Sequence, residues 1–126
     1  MARIILDSNV IIYISQKKLE LKDLPVEYDE ILISSISCME VLGYNFPEEE
    51  TEKSLIEFID SFNVIDTNFE IRKKVIEYRK KKKIKLPDAI ILASAAIMKA
   101  DLFTYNVDDF KNIDEQVKLF NLPIVL

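Results

Sequence analysis

The sequence predicts an α/β domain: a mostly parallel central sheet of four to five strands with helices on both faces. Three observations lead there. Short apolar runs alternate with longer segments of helical spacing along the whole chain. The first such run passes directly from strand character into helix character at Asp7-Ser8-Asn9. The composition is globular, with 49% hydrophobic and 31% charged residues, one Gly and four Pro in 126 residues, a length that suits one domain over 1–126. Strands that alternate with helices pair in parallel, because each helix carries the chain back to the starting edge and covers a face of the sheet.

Arg3 to Leu6 is the first strand, and Asn9 to Ile14 continues it as a helix. Ile31 to Ser34 is a second strand, followed by a helix near Ser37 to Tyr44 that Gly43 helps to end. Pro47 with Glu48-Glu49-Glu50 opens a further helix, with Pro in the first turn and acids at the positive end of the dipole. That helix runs to about Phe62, and Leu55, Ile56, Phe58, Ile59 and Phe62 form its apolar face. Asn63-Val64-Ile65 is a short strand. Thr67 and Glu70 have the spacing of a capping box that opens a helix through a basic run. Pro87 opens the next helix, apolar almost all round from Ala89 to Met98 and therefore buried on nearly every side. Leu102-Phe103-Thr104 and Ile124-Val125-Leu126 complete the strands.

The composition also excludes chemistry. A single cysteine, Cys38, rules out an internal disulfide and a Cys-cluster zinc site. The chain has no histidine, which removes Ser-His-Asp and Cys-His catalysis and His-ligated zinc. Carboxylates are left to carry any reaction. The N-terminus reaches an acid at Asp7 too early for a signal peptide, and the Ala89–Met98 stretch is about half the length that spans a bilayer. The expectation is a soluble cytoplasmic protein without a membrane partner.

Net charge is -5 and unevenly spread. Arg72 to Lys85 holds nine basic residues and one acid, Glu77; of the chain's 17 basic and 22 acidic residues, 8 and 21 lie elsewhere. A lysine run at a helix C-terminus is ordinarily a solvated end that suits the dipole. Beside a phosphate-handling site it would instead be a backbone-contacting strip.

In a parallel sheet, ligands bind outside the C-terminal ends of the strands. Asp7 closes the first strand, Glu40 lies in the first helical turn after the second, and Asn106, Asp108 and Asp109 follow the strand at Leu102 to Thr104. Asp88, in the first turn of the Pro87 helix, joins them if that helix starts at the same edge. Converging carboxylates repel one another unless a cation neutralises them, and Mg2+ or Mn2+ is the match for such ligands. Each acid also has an ordinary reading: Asp7 as a helix cap, Glu40 in a capping box with Ser37, Asp88 on the dipole, Asp108-Asp109 as turn residues.

Four segments follow one another: Leu6-Asp7-Ser8-Asn9; Ser34 through Met39-Glu40-Val41-Leu42; Leu86-Pro87-Asp88-Ala89-Ile90-Ile91; and Leu102-Phe103-Thr104-Tyr105-Asn106-Val107-Asp108-Asp109-Phe110. This succession, which covers essentially the whole chain, resembles the PIN-domain ribonucleases, and within them the small VapC-type toxins of toxin–antitoxin pairs. The resemblance implies that Asp7, Glu40 and Asp88 are metal-binding and catalytic. Many relatives have an acid after the strand threonine; here Asn106 stands there with Asp109 three residues on, and either completes the site. Thr104 and Ser8 are placed to orient ligands. The resemblance further implies a metal-dependent endoribonuclease that leaves 5'-phosphate and 3'-hydroxyl ends, a cognate antitoxin, and a homodimer. Lys83 and Lys85, just before the Asp88 helix, become candidates for holding RNA. The Ala89–Met98 helix and Tyr44-Asn45-Phe46 are candidates for subunit or antitoxin contacts, with core packing the ordinary alternative. A PIN nuclease of RNA processing and an inactive interaction module keep the same fold. A haloacid dehalogenase-type phosphatase needs a second acid two residues after the first, where this chain has Asn9.

Overall fold

Five short strands form one sheet: β1 (Arg3–Leu6), β2 (Glu30–Ser34), β3 (Asn63–Ile65), β4 (Asp101–Phe103) and β5 (Leu119–Phe120). In this computed structural model, which describes residues 1–24 and 26–122, their order is β3-β2-β1-β4-β5 and every neighbouring pair is parallel. The helices are α1 (Ser8–Ser15), α2 (Ser35–Leu42), α3 (Glu49–Asp60), α4 (Phe69–Lys81), α5 (Leu86–Met98) and the short α6 (Val107–Phe110).

Both faces of the sheet are covered, and the strands show why. Ile4, Ile5 and Leu6 are all fully buried, which a sheet open on one side would not allow. Successive side chains point to opposite faces. Ile4 and Leu6, with Ile33 and Phe103, therefore pack against Val10 and Ile11 of α1, Val41 of α2 and Leu55 and Ile59 of α3. Ile5, Leu32 and Leu102 point the other way, onto Ile71 and Val75 of α4 and Ile91 and Leu92 of α5. Burying each such aliphatic side chain contributes about 1.5–3 kcal/mol. In α5, Ala89, Ile91, Leu92, Ala93, Ser94 and Ala95 are buried, so this apolar helix is core.

Several boundaries differ from the sequence reading. Ser34, still paired with Ile65 in the sheet, caps α2 through its hydroxyl, which accepts from Ile36 N. The helix therefore starts two residues before Ser37, and Glu40 falls in its second turn instead of its first. α4 is capped by Asn68, whose Oδ1 accepts from Ile71 N at 2.9 Å, in place of Thr67. α3 is bounded by Glu48 and Ser61, and Ile56 of its expected apolar face is exposed. Gly43 follows α2 with an ordinary negative φ; a Cβ there would sit 2.6 Å from the Met39 carbonyl oxygen. The fifth strand is Leu119–Phe120, and the Ile124-Val125-Leu126 run lies outside the described residues.

Candidate metal centre

The strand order reverses direction between β1 and β4, and a crevice opens beyond the C-terminal ends of strands at such a switch point. Asp7 stands at that spot. Its backbone N–H donates to Phe103 O at 3.0 Å, continuing the β1–β4 ladder by one residue. Its side chain then caps α1, with Oδ1 accepting from Ser8 N at 2.8 Å, while Oδ2 accepts from Thr104 Oγ1 at 2.7 Å. The residue is 5% exposed. Burial pushes its carboxyl above the ordinary 3.8; the Thr104 and Ser8 hydrogen bonds pull it back, and the charges of Glu40 and Asp109 push it up again.

Asp88 enters from α5. Pro87 at the helix start leaves no N–H to satisfy, and Asp88 sits in the positive first turn. Its carboxyl is nevertheless pushed up to about 6, by burial first and then by the charges of Asp7, Asp109 and Glu40, with Lys85 opposing. Glu40, exposed on α2, is held toward α1 by the Ser8 hydroxyl, which donates to its Oε1 at 2.8 Å. Asp7, Glu40, Asp88 and Asp109 thus share one electrostatic field. Asp108 stays outside it: its side chain is 87% exposed and pairs with Lys111 Nζ at 2.8 Å. Asn106 is exposed at the start of α6, and its N–H donates to Thr104 Oγ1 at 3.0 Å. Thr104 is therefore the shared partner of Asp7 and the 106–109 turn.

Among the described residues, no three acidic side chains stand as a ready-made set of direct metal ligands. Their chemistry still fits a hard cation: the donors are all oxygens, and burial, with the neighbouring negative charges adding to it, raises the Asp7 and Asp88 carboxyls. Mg2+ keeps several of its waters, so such acids can hold it without enclosing it. Lys85 and Lys83 are exposed at the entrance to α5, and Lys85 is close enough to act on Asp88.

A different part of the surface holds an apolar groove of about 720 Å³, lined by Ile12 of α1, Leu55 and Phe58 of α3, and Tyr44 and Phe46. None of the four acids lines it. The sequence reading passed over Phe69, which is 62% exposed, although its position was readable: the buried residues of α4 are Ile71, Val75 and Tyr78, which puts 69, 72, 73 and 76 on the opposite face.

The family model of the PIN domain matches residues 4–116. Among solved structures the chain is similar to a toxin–antitoxin complex from Klebsiella pneumoniae, at 30% identity and a TM-score of 0.72, over 93% of this chain and 95% of that one. It is similar in fold to VapBC2 from Rickettsia felis bound to a promoter DNA fragment (24% identity, TM-score 0.80, 96% and 99% covered). The same holds for VapBC-1 from nontypeable Haemophilus influenzae (21% identity, TM-score 0.75, 94% and 97% covered). No curated protein matches. With the family match running from β1 to beyond α6, and with VapBC toxin–antitoxin complexes among its solved neighbours, the chain belongs to the PIN domain family.

Proposed function

We propose that the chain is a metal-dependent endoribonuclease and the toxin of a type II toxin–antitoxin pair. The observation that carries this reading is the convergence on Asp88 of Asp7, Asp109 and Glu40, at the switch point of a parallel sheet. Asp7, Glu40, Asp88 and Asp109 would hold Mg2+ or Mn2+, with the Asn106 carbonyl as a further oxygen donor. Bound there, the cation supplies activation of water and stabilisation of the leaving oxygen in an in-line displacement, with 5'-phosphate and 3'-hydroxyl ends expected. The Thr104 hydrogen bond opposes the rise of the Asp7 carboxyl and aims it, and the Ser8 hydroxyl orients Glu40. Lys83 and Lys85 would hold the RNA backbone and position it without reading sequence.

The partner assignments are proposed on the same footing. Solved neighbours are toxin–antitoxin complexes, and the groove lined by Tyr44 and Phe46 offers an apolar seat for an antitoxin segment. A homodimer would cover Met39 and Leu86, both exposed and close in sequence to Glu40 and Asp88. Light scattering on purified protein checks the dimer, and loss of a co-expressed antitoxin on Tyr44→Ala checks the groove.

The decisive experiment is cleavage of total cellular RNA by the purified protein with Mg2+ or Mn2+ against EDTA, with Asp88→Asn alongside. Discrete fragments that require metal and vanish in the variant support the proposal. Absence of cleavage by metal-loaded, antitoxin-free protein overturns it. That no ready-made ligand triad stands among the described residues favours one second reading, an interaction module on the same fold, and failure to bind Mn2+ in calorimetry would support it.

A further inference from the structure

Helix α4 buries Ile71, Val75 and Tyr78 and turns Phe69, Arg72, Lys73, Ile76, Arg79 and Lys80 outward, with the exposed acids Glu70 and Glu77 along one flank beside Lys73 and Lys74. Phe69 is 62% exposed and Ile76 50% exposed, so the chain forgoes apolar burial here. The Arg72 guanidinium lies 5.3 Å from the Phe69 ring centroid and the Lys73 ammonium 5.7 Å. Among the described residues Lys74 and Lys81 are paired with carboxylates, whereas Arg72, Lys73, Arg79 and Lys80 are not.

A solvated helix end explains only part of this face. Cations in the last turn of α4 suit the negative end of its dipole. Arg72 and Lys73 lie just inside the opposite end, where positive charge is disfavoured, and they crowd an exposed aromatic ring. That combination of an open ring face, a neighbouring guanidinium and unpaired ammonium groups fits a single-stranded nucleic acid, whose bases stack on aromatic and guanidinium planes while its phosphates take the lysines. A second copy of the chain fits poorly. A two-fold interface sets the same patch against itself, and here four unpaired cations would meet their copies with only Glu70 and Glu77 at the flank to offset them.

The chain also leads from this face directly to the proposed reaction site. From Phe69 to Lys81 the helix extends about 18 Å at 1.5 Å per residue. Lys82, Lys83 and Lys85 then lead into the first turn of α5, where Asp88 stands. We propose that the outer face of α4 is a track for single-stranded RNA, with Phe69 as a base-stacking platform and Arg72, Lys73, Arg79 and Lys80 as phosphate contacts. The track delivers the strand to the acidic edge, and in that respect the inference rests on the nuclease reading.

The test is binding of a fluorescein-labelled 12-nucleotide single-stranded RNA in EDTA, where no metal-dependent cleavage interferes. Phe69→Ala is expected to weaken binding about 5- to 150-fold, the range of one lost base–aromatic stack. Phe69→Tyr keeps the ring and should bind within about twofold of wild type. Arg72→Gln with Lys73→Gln should reduce the slope of log K against log salt by about 1.4, at about 0.7 per phosphate contact. Unchanged affinity in Phe69→Ala together with an unchanged salt slope in the double variant overturns the proposal. So does a shift from dimer to monomer in Phe69→Ala with RNA binding intact, which would make the face a contact between copies. Because Phe69 is exposed, folding of the variant is checked by circular dichroism, and the double variant provides an independent arm. The two readings fail separately. Metal-dependent cleavage with unaffected variants sinks the track and leaves the nuclease, whereas ring-dependent binding without cleavage sinks the nuclease and leaves the track.

Discussion

Replacing Asp88 with Asn removes one charge from the set formed with Asp7, Glu40 and Asp109, and the structure fixes the sign of the effect. The Asp88 carboxyl is raised from 3.8 to about 6 in the folded protein. Between those values the native state binds more protons than the unfolded chain, so this residue's contribution to stability is complete below pH 3.8 and is lost as pH rises through about 6. At 1.36 kcal/mol per pKa unit the full penalty at neutral pH is about 3 kcal/mol. Solvent reaches much of the group, and screening reduces the figure to about 1–2 kcal/mol. Asn also gives up the favourable interaction of a negative charge with the first turn of α5, about 0.3–1 kcal/mol. The net expectation for metal-free protein at pH 7.5 is an Asp88→Asn variant about 1 kcal/mol more stable than wild type. Urea denaturation in EDTA at pH 7.5 and at pH 4 measures it, with the difference between the two proteins largely gone at the lower pH. A variant less stable than wild type at pH 7.5, or a gap of equal size at both pH values, would refute the reasoning, because neither outcome follows from removing a partly buried, repelled charge. Saturating Mn2+ should reverse the order by stabilising wild type more than the variant.

Two further substitutions test the surroundings of the site. Thr104→Val removes the hydroxyl that donates to the buried Asp7 carboxylate and should cost about 1.5–3 kcal/mol at pH 7. That hydrogen bond holds the Asp7 carboxyl down, so the loss should shrink as pH falls and the acid is protonated; parallel urea titrations across pH check this. Ser37 is fully buried in α2, and its Oγ has no hydrogen-bond partner among the described residues. Ser37→Ala should therefore raise stability by about 1 kcal/mol, helped by the better helix propensity of Ala. A loss of stability on thermal melting would mean that the hydroxyl is satisfied after all.

The parts of the fold that could be read in advance rest on local pattern. β1, with three consecutive buried residues, and α5, apolar on almost every face, each have one stable environment, the interior of a sheet covered on both sides. Caps were less legible, because Ser34, Ser35 and Ser37 all suit the role, as do Thr67 and Asn68. For α2 the Ser34–Ile65 pairing holds β2 to its last residue, so the helix starts no earlier than Ser35, and for α4 the Asn68 side chain takes the bond to Ile71 N. β5 was missed at Leu119–Phe120 because two paired residues carry no period. For the site, strand ends sufficed to bring Asp7 and the 106–109 turn together, since β1 and β4 are neighbours. The approach of Asp88 depends on how α4 and α5 return across the sheet. That return is fixed by contacts remote in sequence, such as Tyr78 and Lys74 of α4 reaching Asp114. Spacing along the chain contains no trace of them.

Asp7 ends a strand, starts a helix and faces the acidic crevice, all within one residue. An investigator who wants a silenced protein for co-crystallisation with RNA or an antitoxin should therefore leave it alone. Asp7→Ala would withdraw the α1 cap, at about 0.5–2 kcal/mol, and leave the fully buried Thr104 O–H without its Asp7 acceptor, so that lost activity and a loosened scaffold could not be told apart. Position 88 separates the two, because its neutral variant is expected to keep the architecture and give up only the charge.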